Sequence, residues 1–270
     1  MNRFLGAIIC FAAMTIFSVS IAQAATFSNA SLKGRYSFVL NAWSPDATVT
    51  QSAVLGLGTF DGAGNVTGNY VSLQGPPSGA STAALGAITG TYSVNPDGTG
   101  NITFTSSLFA GSVNVALRLD ASAGGVARGA QLLLVTPNPD GTVNSGLAVQ
   151  QSPLPKSFTA SNLKGTFSYV QNKWTASTAS GSAASIGILS FDGKGHVTNN
   201  LVGMMGSTGP TTGSLSGTYT VNSDGTGTIS YTNGASFAFV ITGNGKELQT
   251  VSITTHNPGN FILSQTALKQ

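Results

Sequence analysis

The sequence predicts an all-β protein: two tandem up-and-down antiparallel β-barrels of about eight strands each, behind an N-terminal signal peptide. Three observations predict it. The chain is written twice, since Phe27 to Val39 returns as Phe158 to Val170 and the correspondence runs on to Gln151 and Gln270. Self-similarity at so long a period makes each copy a folding unit. Within each copy, apolar and polar residues alternate over short runs, the period of strands rather than of helices. Asp-Gly pairs punctuate these runs at the same places in both copies, and such pairs favour hairpin turns because both positions tolerate positive φ.

The elements follow in order. Tyr36, Phe38 and Leu40 alternate along the first strand, with Phe167, Tyr169 and Gln171 at the same parity in the second copy. Ala53, Leu55 and Leu57, matched by Ala184, Ile186 and Ile188, mark the next strand, which ends at Phe60-Asp61-Gly62 or Phe191-Asp192-Gly193. A third strand follows Gly64 or Gly195. A fourth carries Tyr92 or Tyr219 and runs into the shared turn Asn95-Pro96-Asp97-Gly98 or Asn222-Ser223-Asp224-Gly225. Four more short strands complete each copy, and no helix of useful length interrupts them. A meander of that length is expected to close, because closure removes both exposed edges. The expected domains are residues 27–151 and 158–270, joined by a linker over 152–157 that contains Pro153 and Pro155. One sixteen-strand outer-membrane pore made from both copies is the alternative architecture.

Composition bounds the function. Residues 1–24 have the form of an export signal: Arg3, an apolar stretch from Phe4 to about Ile21, then Ala22-Gln23-Ala24, with cleavage expected after Ala24. The expected address is therefore periplasmic or extracellular, with no transmembrane span once the signal is removed. Cys10 is the single cysteine and lies in that signal, so disulfides, thiol nucleophiles and Cys-based metal sites are not expected. Only 7% of residues are charged and the formal net charge is +3, with the basic residues scattered. No run of lysine or arginine suits a phosphate backbone, so no nucleic-acid partner is expected.

Gly34-Arg35-Tyr36 and Gly165-Thr166-Phe167 stand where lipocalins and related calycin barrels carry a Gly-x-aromatic motif on their first strand, and the following meander is similar. Those proteins often set a basic residue of the last strand against that aromatic, a place Lys269 fills in the second copy and Gln150 in the first. The combined pattern of Leu-Lys-Gly-x-aromatic, Phe-Asp-Gly-x-Gly and Gly-Thr-Tyr also resembles a repeat of uncharacterised exported proteins of environmental bacteria. The resemblance implies the barrel topology, and through the lipocalins a carrier of a small apolar ligand.

Chemistry is sparse. Asp61, Asp97, Asp140, Asp192 and Asp224 all precede glycine, and turn formation explains them. The Asn-x-Asp-Gly-x-Gly turns lack the further acidic ligands of a calcium loop. His196 and His256 occur only in the second copy, without the partners a metal site or a triad needs. No catalytic residue, cofactor or metal is therefore assigned.

Two surfaces are assigned instead. Trp43 and Trp174, the only tryptophans, occupy equivalent positions, and strict alternation puts them with Asn41 and Asn172 on the face opposite Tyr36 and Phe38. An exposed indole beside an amide suits stacking on a glycan or polymer. In the seventh strand Leu132 and Leu134 of the first copy replace Thr250 and Ser252 of the second, while Leu133 and Val135 match Val251 and Ile253. With the shared pair taken as core, Leu132 and Leu134 are expected on an apolar outer face. Burying them would stabilise by roughly 3–5 kcal/mol, so this strand is expected to pack on the other copy or on a second chain. The expected function is that of an exported, non-enzymatic tandem barrel with a surface-binding, structural or adhesive role. The alternative is a lipocalin-like carrier.

Overall fold

The structure, a computed structural model, describes residues 26–43, 51–75, 82–106, 112–120, 126–135, 143–152, 157–175, 183–205, 209–254 and 261–270. The expected signal peptide and most of the linker lie outside them. The described chain forms two closed eight-strand barrels in which every pairing is antiparallel and between neighbours in sequence or across the closing seam. Barrel 1 comprises β1 (Lys33–Trp43), β2 (Gln51–Asp61), β3 (Asn65–Gly75), β4 (Thr82–Val94), β5 (Thr99–Ser106), β6 (Ser112–Leu119), β7 (Gly129–Leu134) and β8 (Val143–Gln150). Barrel 2 repeats the order with β9 (Gly165–Thr175), β10 (Ala183–Phe191), β11 (His196–Met205), β12 (Thr211–Val221), β13 (Thr226–Tyr231), β14 (Ser236–Thr242), β15 (Glu247–Ser252) and β16 (Phe261–Lys269). The two rings are separate, so the sixteen-strand pore is ruled out as the architecture. Among the described residues no helix is long and apolar enough to cross a membrane.

The repeated motifs meet in space at one end of each barrel. Tyr36, Phe60 and Tyr92, one from each motif, stack edge to face with centroids 5.5 and 5.2 Å apart, and Phe167, Phe191 and Tyr219 do the same at 5.5 and 5.0 Å. Edge-to-face pairs add about 0.5–1.5 kcal/mol each beyond the area they bury. The Leu-Lys-Gly motif closes the same end, where a short 3-10 turn delivers Leu32 or Leu163 into the core fully buried. Phenol groups pin these turns, Tyr92 Oη donating to the Leu32 carbonyl at 2.8 Å and Tyr219 Oη to that of Ala160 at 3.0 Å, while Tyr36 Oη donates to the carbonyl of Ala127, just before β7, at 2.6 Å. The inward aromatics expected from the alternation are thus in the cores.

On the second strand the alternation is right and its phase is the reverse of a core face. Inward positions are Val54, Gly56, Gly58 and Phe60, while Ala53 and Leu55 point outward and are buried against barrel 2. The barrels pack through the outer faces of β1 to β3 and of β14 to β16, where Val39, Ala53, Leu55 and Leu73 join Val240 and Val251 in one apolar cluster. Polar contacts frame it. Ser37 Oγ donates to Gln249 Oε1 at 2.6 Å, Arg35 donates to the Asp224 carbonyl at 2.8 Å, and Gln151 Nε2 reaches the carbonyls of Asp224 and Ile241 at 3.0 and 2.9 Å.

The expected outer leucines are corrected by the same geometry. Leu132 is buried in the core of barrel 1 and Leu134 packs against that core, whereas Leu133 and Val135 are 45% and 47% exposed. Their counterpart Val251 is apolar because it lies between the barrels, not inside one. Reading Val251 as a core residue inverted the phase for both copies. The Leu132 and Leu134 face therefore lines an interior, and no interface forms through it.

Candidate functional site

Catalytic chemistry finds no constellation in the described residues. In the β2–β3 hairpin, Asp61 Oδ1 accepts from the backbone N–H groups of Ala63, Gly64 and Asn65 at 2.7–2.9 Å, and Oδ2 accepts from the Asn65 amide at 2.6 Å. In barrel 2, Asp192 accepts from the N–H groups of Lys194 and His196, and its second oxygen meets His196 Nδ1 at 3.0 Å on an exposed surface. These bonds favour the carboxylate, so both acids fall to about 2: Asp61 chiefly through the Asn65 side chain, Asp192 chiefly through the His196 backbone N–H. Asp97 is lowered too, first by the Thr99 hydroxyl. Among the described residues no three His, Asp or Glu side chains lie close enough together to hold a metal ion.

The pH dependence follows from these shifts. A carboxyl group with its folded pKa below its unfolded value of about 3.9 stabilises the fold fully above that value and loses the contribution as pH falls toward about 2. The melting temperature is expected to drop between pH 4 and 2. The double variant Asp61→Asn, Asp192→Asn is expected to start lower and to show a flatter profile. An unchanged slope in a pH series of thermal melts would show that the turns do not carry the effect.

The interiors of the two barrels differ in chemistry. Barrel 1 is lined by Phe38, Leu40, Val54, Phe104, Leu132 and Leu134, and its voids measure only about 40 and 30 Å³. At the equivalent places barrel 2 carries Tyr169, Gln171, Ser185, Tyr231, Thr250 and Ser252. Tyr169 Oη donates to Asn199 Oδ1 at 2.9 Å and Ser185 Oγ to Gln171 Oε1 at 3.0 Å, so these polar groups pair with one another. Burial raises both phenols, which stay neutral donors. The Leu132/Thr250 and Leu134/Ser252 differences belong to this contrast: β15 buries two hydroxyls where β7 supplies methyl groups, and Thr250 Oγ1 has no hydrogen-bond partner among the described residues.

Outside the barrels, two clefts flank the contact between them. The larger, about 1300 Å³, lies between β1 and β8 of barrel 1 and the sheet from β16 through β9 to β12 of barrel 2. Asn41 lines it on the outer face, as the alternation predicts. Its Oδ1 is buried and has no hydrogen-bond partner among the described residues. The second cleft, about 1030 Å³, opens on the other side beside β3 and β4 and the β12–β13 turn. Trp43 and Trp174 lie in β1 and β9, paired with Val143 and Ile262, but their side chains, like that of Asn172, fall outside the described residues. So does His256.

Sequence reasoning did not single out Ser37, Arg35, Gln151 and Gln249, the polar frame of the barrel contact. The one signal present is recurrence: Ser37 and Gln249 return in the other copy as Ser168 and Gln131, at outward positions. The arrangement between the barrels is one of hydrogen-bonding and apolar surfaces. On the last strand Lys269 Nζ lies 5.7 Å from the centre of the Phe167 ring, the contact that the Gly-x-aromatic resemblance implies for the second copy. A scan against protein-family models and a search of curated proteins each found no match to this chain.

Proposed function

We propose that the protein is an exported, non-enzymatic tandem barrel with a structural or adhesive role, working through the outer faces of its barrels. The observation that carries this reading is a reversal of the usual carrier layout. The interior of barrel 1 is filled to voids of about 40 Å³ or less, whereas Val170, Ile186, Val202 and Met204 stand 42–66% exposed on the outside of barrel 2. Pockets that hold small ligands measure roughly 300–1,000 Å³. Contiguous exposed apolar surface, by contrast, marks a place of contact. A glycan or polymer held by Trp43, Trp174 and the neighbouring Asn41 and Asn172 is part of this proposal.

Titration with dodecanoate tests it against the carrier alternative. The expected result is an unchanged melting temperature, with no movement of the NMR signals of Phe38, Ile102 and Leu132. Stabilisation with shifts confined to those interior residues would replace the surface reading by the carrier. Adsorption to a β-glucan film, lowered several-fold by Trp43→Ala with Trp174→Ala, is the outcome expected of a glycan contact.

A further inference from the structure

The contact between the two barrels joins two different faces, and each barrel owns a copy of both. Barrel 1 uses the outer face of β1 to β3, and barrel 2 uses that of β14 to β16. The equivalents of these faces, β9 to β11 on barrel 2 and β6 to β8 on barrel 1, are left uncovered. A contact between unlike faces does not close on itself, so it leaves one unused face on each barrel, and Val170, Ile186 and Val202 of one with Leu147 of the other line the larger cleft.

The uncovered faces keep the chemistry of the covered ones. Val39, Leu55 and Val71 of the covered face become Val170, Ile186 and Val202, in direct cross-strand register over three strands. Leu55 is 2% exposed and Ile186 58%. On the other side of the contact Val251, fully buried, becomes Leu133, 45% exposed, with Leu147 at 49% on the adjoining strand. The polar frame recurs as well. Ser37 and Gln249, bonded to each other between the barrels, become Ser168 and Gln131. Gln151, which reaches from barrel 1 into barrel 2, becomes the exposed Gln270, and the backbone N–H of each bonds the same strand position, the carbonyl of Arg35 or Thr166. Two positions change together: Arg35 becomes Thr166 and Val240 becomes Arg118. One guanidinium is present in either contact, on opposite sides, and two never meet.

We propose that the β9–β11 face of one chain binds the β6–β8 face of a second copy, repeating between chains the contact that joins the barrels within one. The occupant is thus identified by the interface already present. On barrel 2 the centres of the two faces, β15 and β10, lie three strands apart in a ring of eight, so the two contacts use different strands. Growth is head to tail, and the contact keeps a single guanidinium, that of Arg118 in place of Arg35. The inference rests on the reading that the outer faces do the work, and it adds the partner.

Sedimentation velocity of the purified protein over a hundredfold concentration range tests it. The expected result is association that grows past the dimer, with apparent Kd raised at least tenfold by Ile186→Asp and equally by Leu133→Asp. Both positions are exposed, and matching melting temperatures confirm that the variants fold. Mixing the two variants is decisive: one retains only the β6–β8 face and the other only the β9–β11 face, so they are expected to form a 1:1 heterodimer that does not grow. A monomer at every concentration, association indifferent to both substitutions, or no heterodimer on mixing would each overturn the proposal. A strictly monomeric protein that still adsorbs to a surface overturns this inference alone, whereas dodecanoate inside a barrel overturns the surface reading alone.

Discussion

Gly227→Val is expected to destabilise barrel 2 by about 4 kcal/mol or more, placing it among the exceptional single substitutions. Gly227 sits within β13, between Val221 of β12 and Phe239 of β14, on the strand face that also carries Ile229 inward. A Cβ there would collide with the Thr220 carbonyl and with the ring of Phe239, which is 1% exposed. The first obstacle is backbone and the second is locked in the core, so neither moves aside cheaply. Gly100 in barrel 1 meets the Ser93 carbonyl in the same way. The control is Gly209→Ala, where nothing lies within 4 Å of the added carbon and little change is expected. Chemical denaturation of both variants decides the matter; equal midpoints would mean that β12 and β13 are not held at the described separation.

Leu55→Asp is expected to part the barrels while leaving each of them folded. Leu55 points away from its own core into the cluster between the barrels, so the substitution touches the docking and not the barrel interior. Removing the leucine forfeits about 1.5–3 kcal/mol of apolar burial. The carboxylate adds the cost of an unpaired charge in an apolar contact, for a total of about 4 kcal/mol or more. Ser37 and Gln249 then lose the geometry of their buried bond. Small-angle scattering is expected to record a larger radius of gyration, and calorimetry two separated transitions. A compact particle with a single, merely lowered transition would contradict this division of roles.

The sequence supplied much of the fold through local signals. The first-strand aromatics, the Phe-Asp-Gly turn and the Gly-Thr-Tyr motif were legible as repeated elements, and each copy brings them together in one edge-to-face stack. The turns were legible because Asp61 and Asp192 satisfy the N–H groups of residues within four positions. The candidate surfaces were read less well. Asn41 lies outward as alternation requires, yet what it faces is the other barrel's side of a cleft, which nothing local encodes. Leu132 and Leu134 mark positions where the copies differ, but alternation alone does not tell that their side of the sheet is the inside of barrel 1.

By itself, then, the sequence determined the repeat, the strand period, the turns and the residues that share a face. Only the tertiary structure decided which face is inside. An alternation of period two separates two sides of a sheet and is silent about which is covered. Around the β1–β3 and β14–β16 contact both sides are covered, one by the barrel's own core and the other by its neighbour, so Val39, Leu55 and Val251 are apolar for a reason that lies in the other copy. The bond that fixes this arrangement, Ser37 to Gln249, spans 212 residues. No local pattern reports a contact of that separation, because its residues become neighbours only after both barrels have closed.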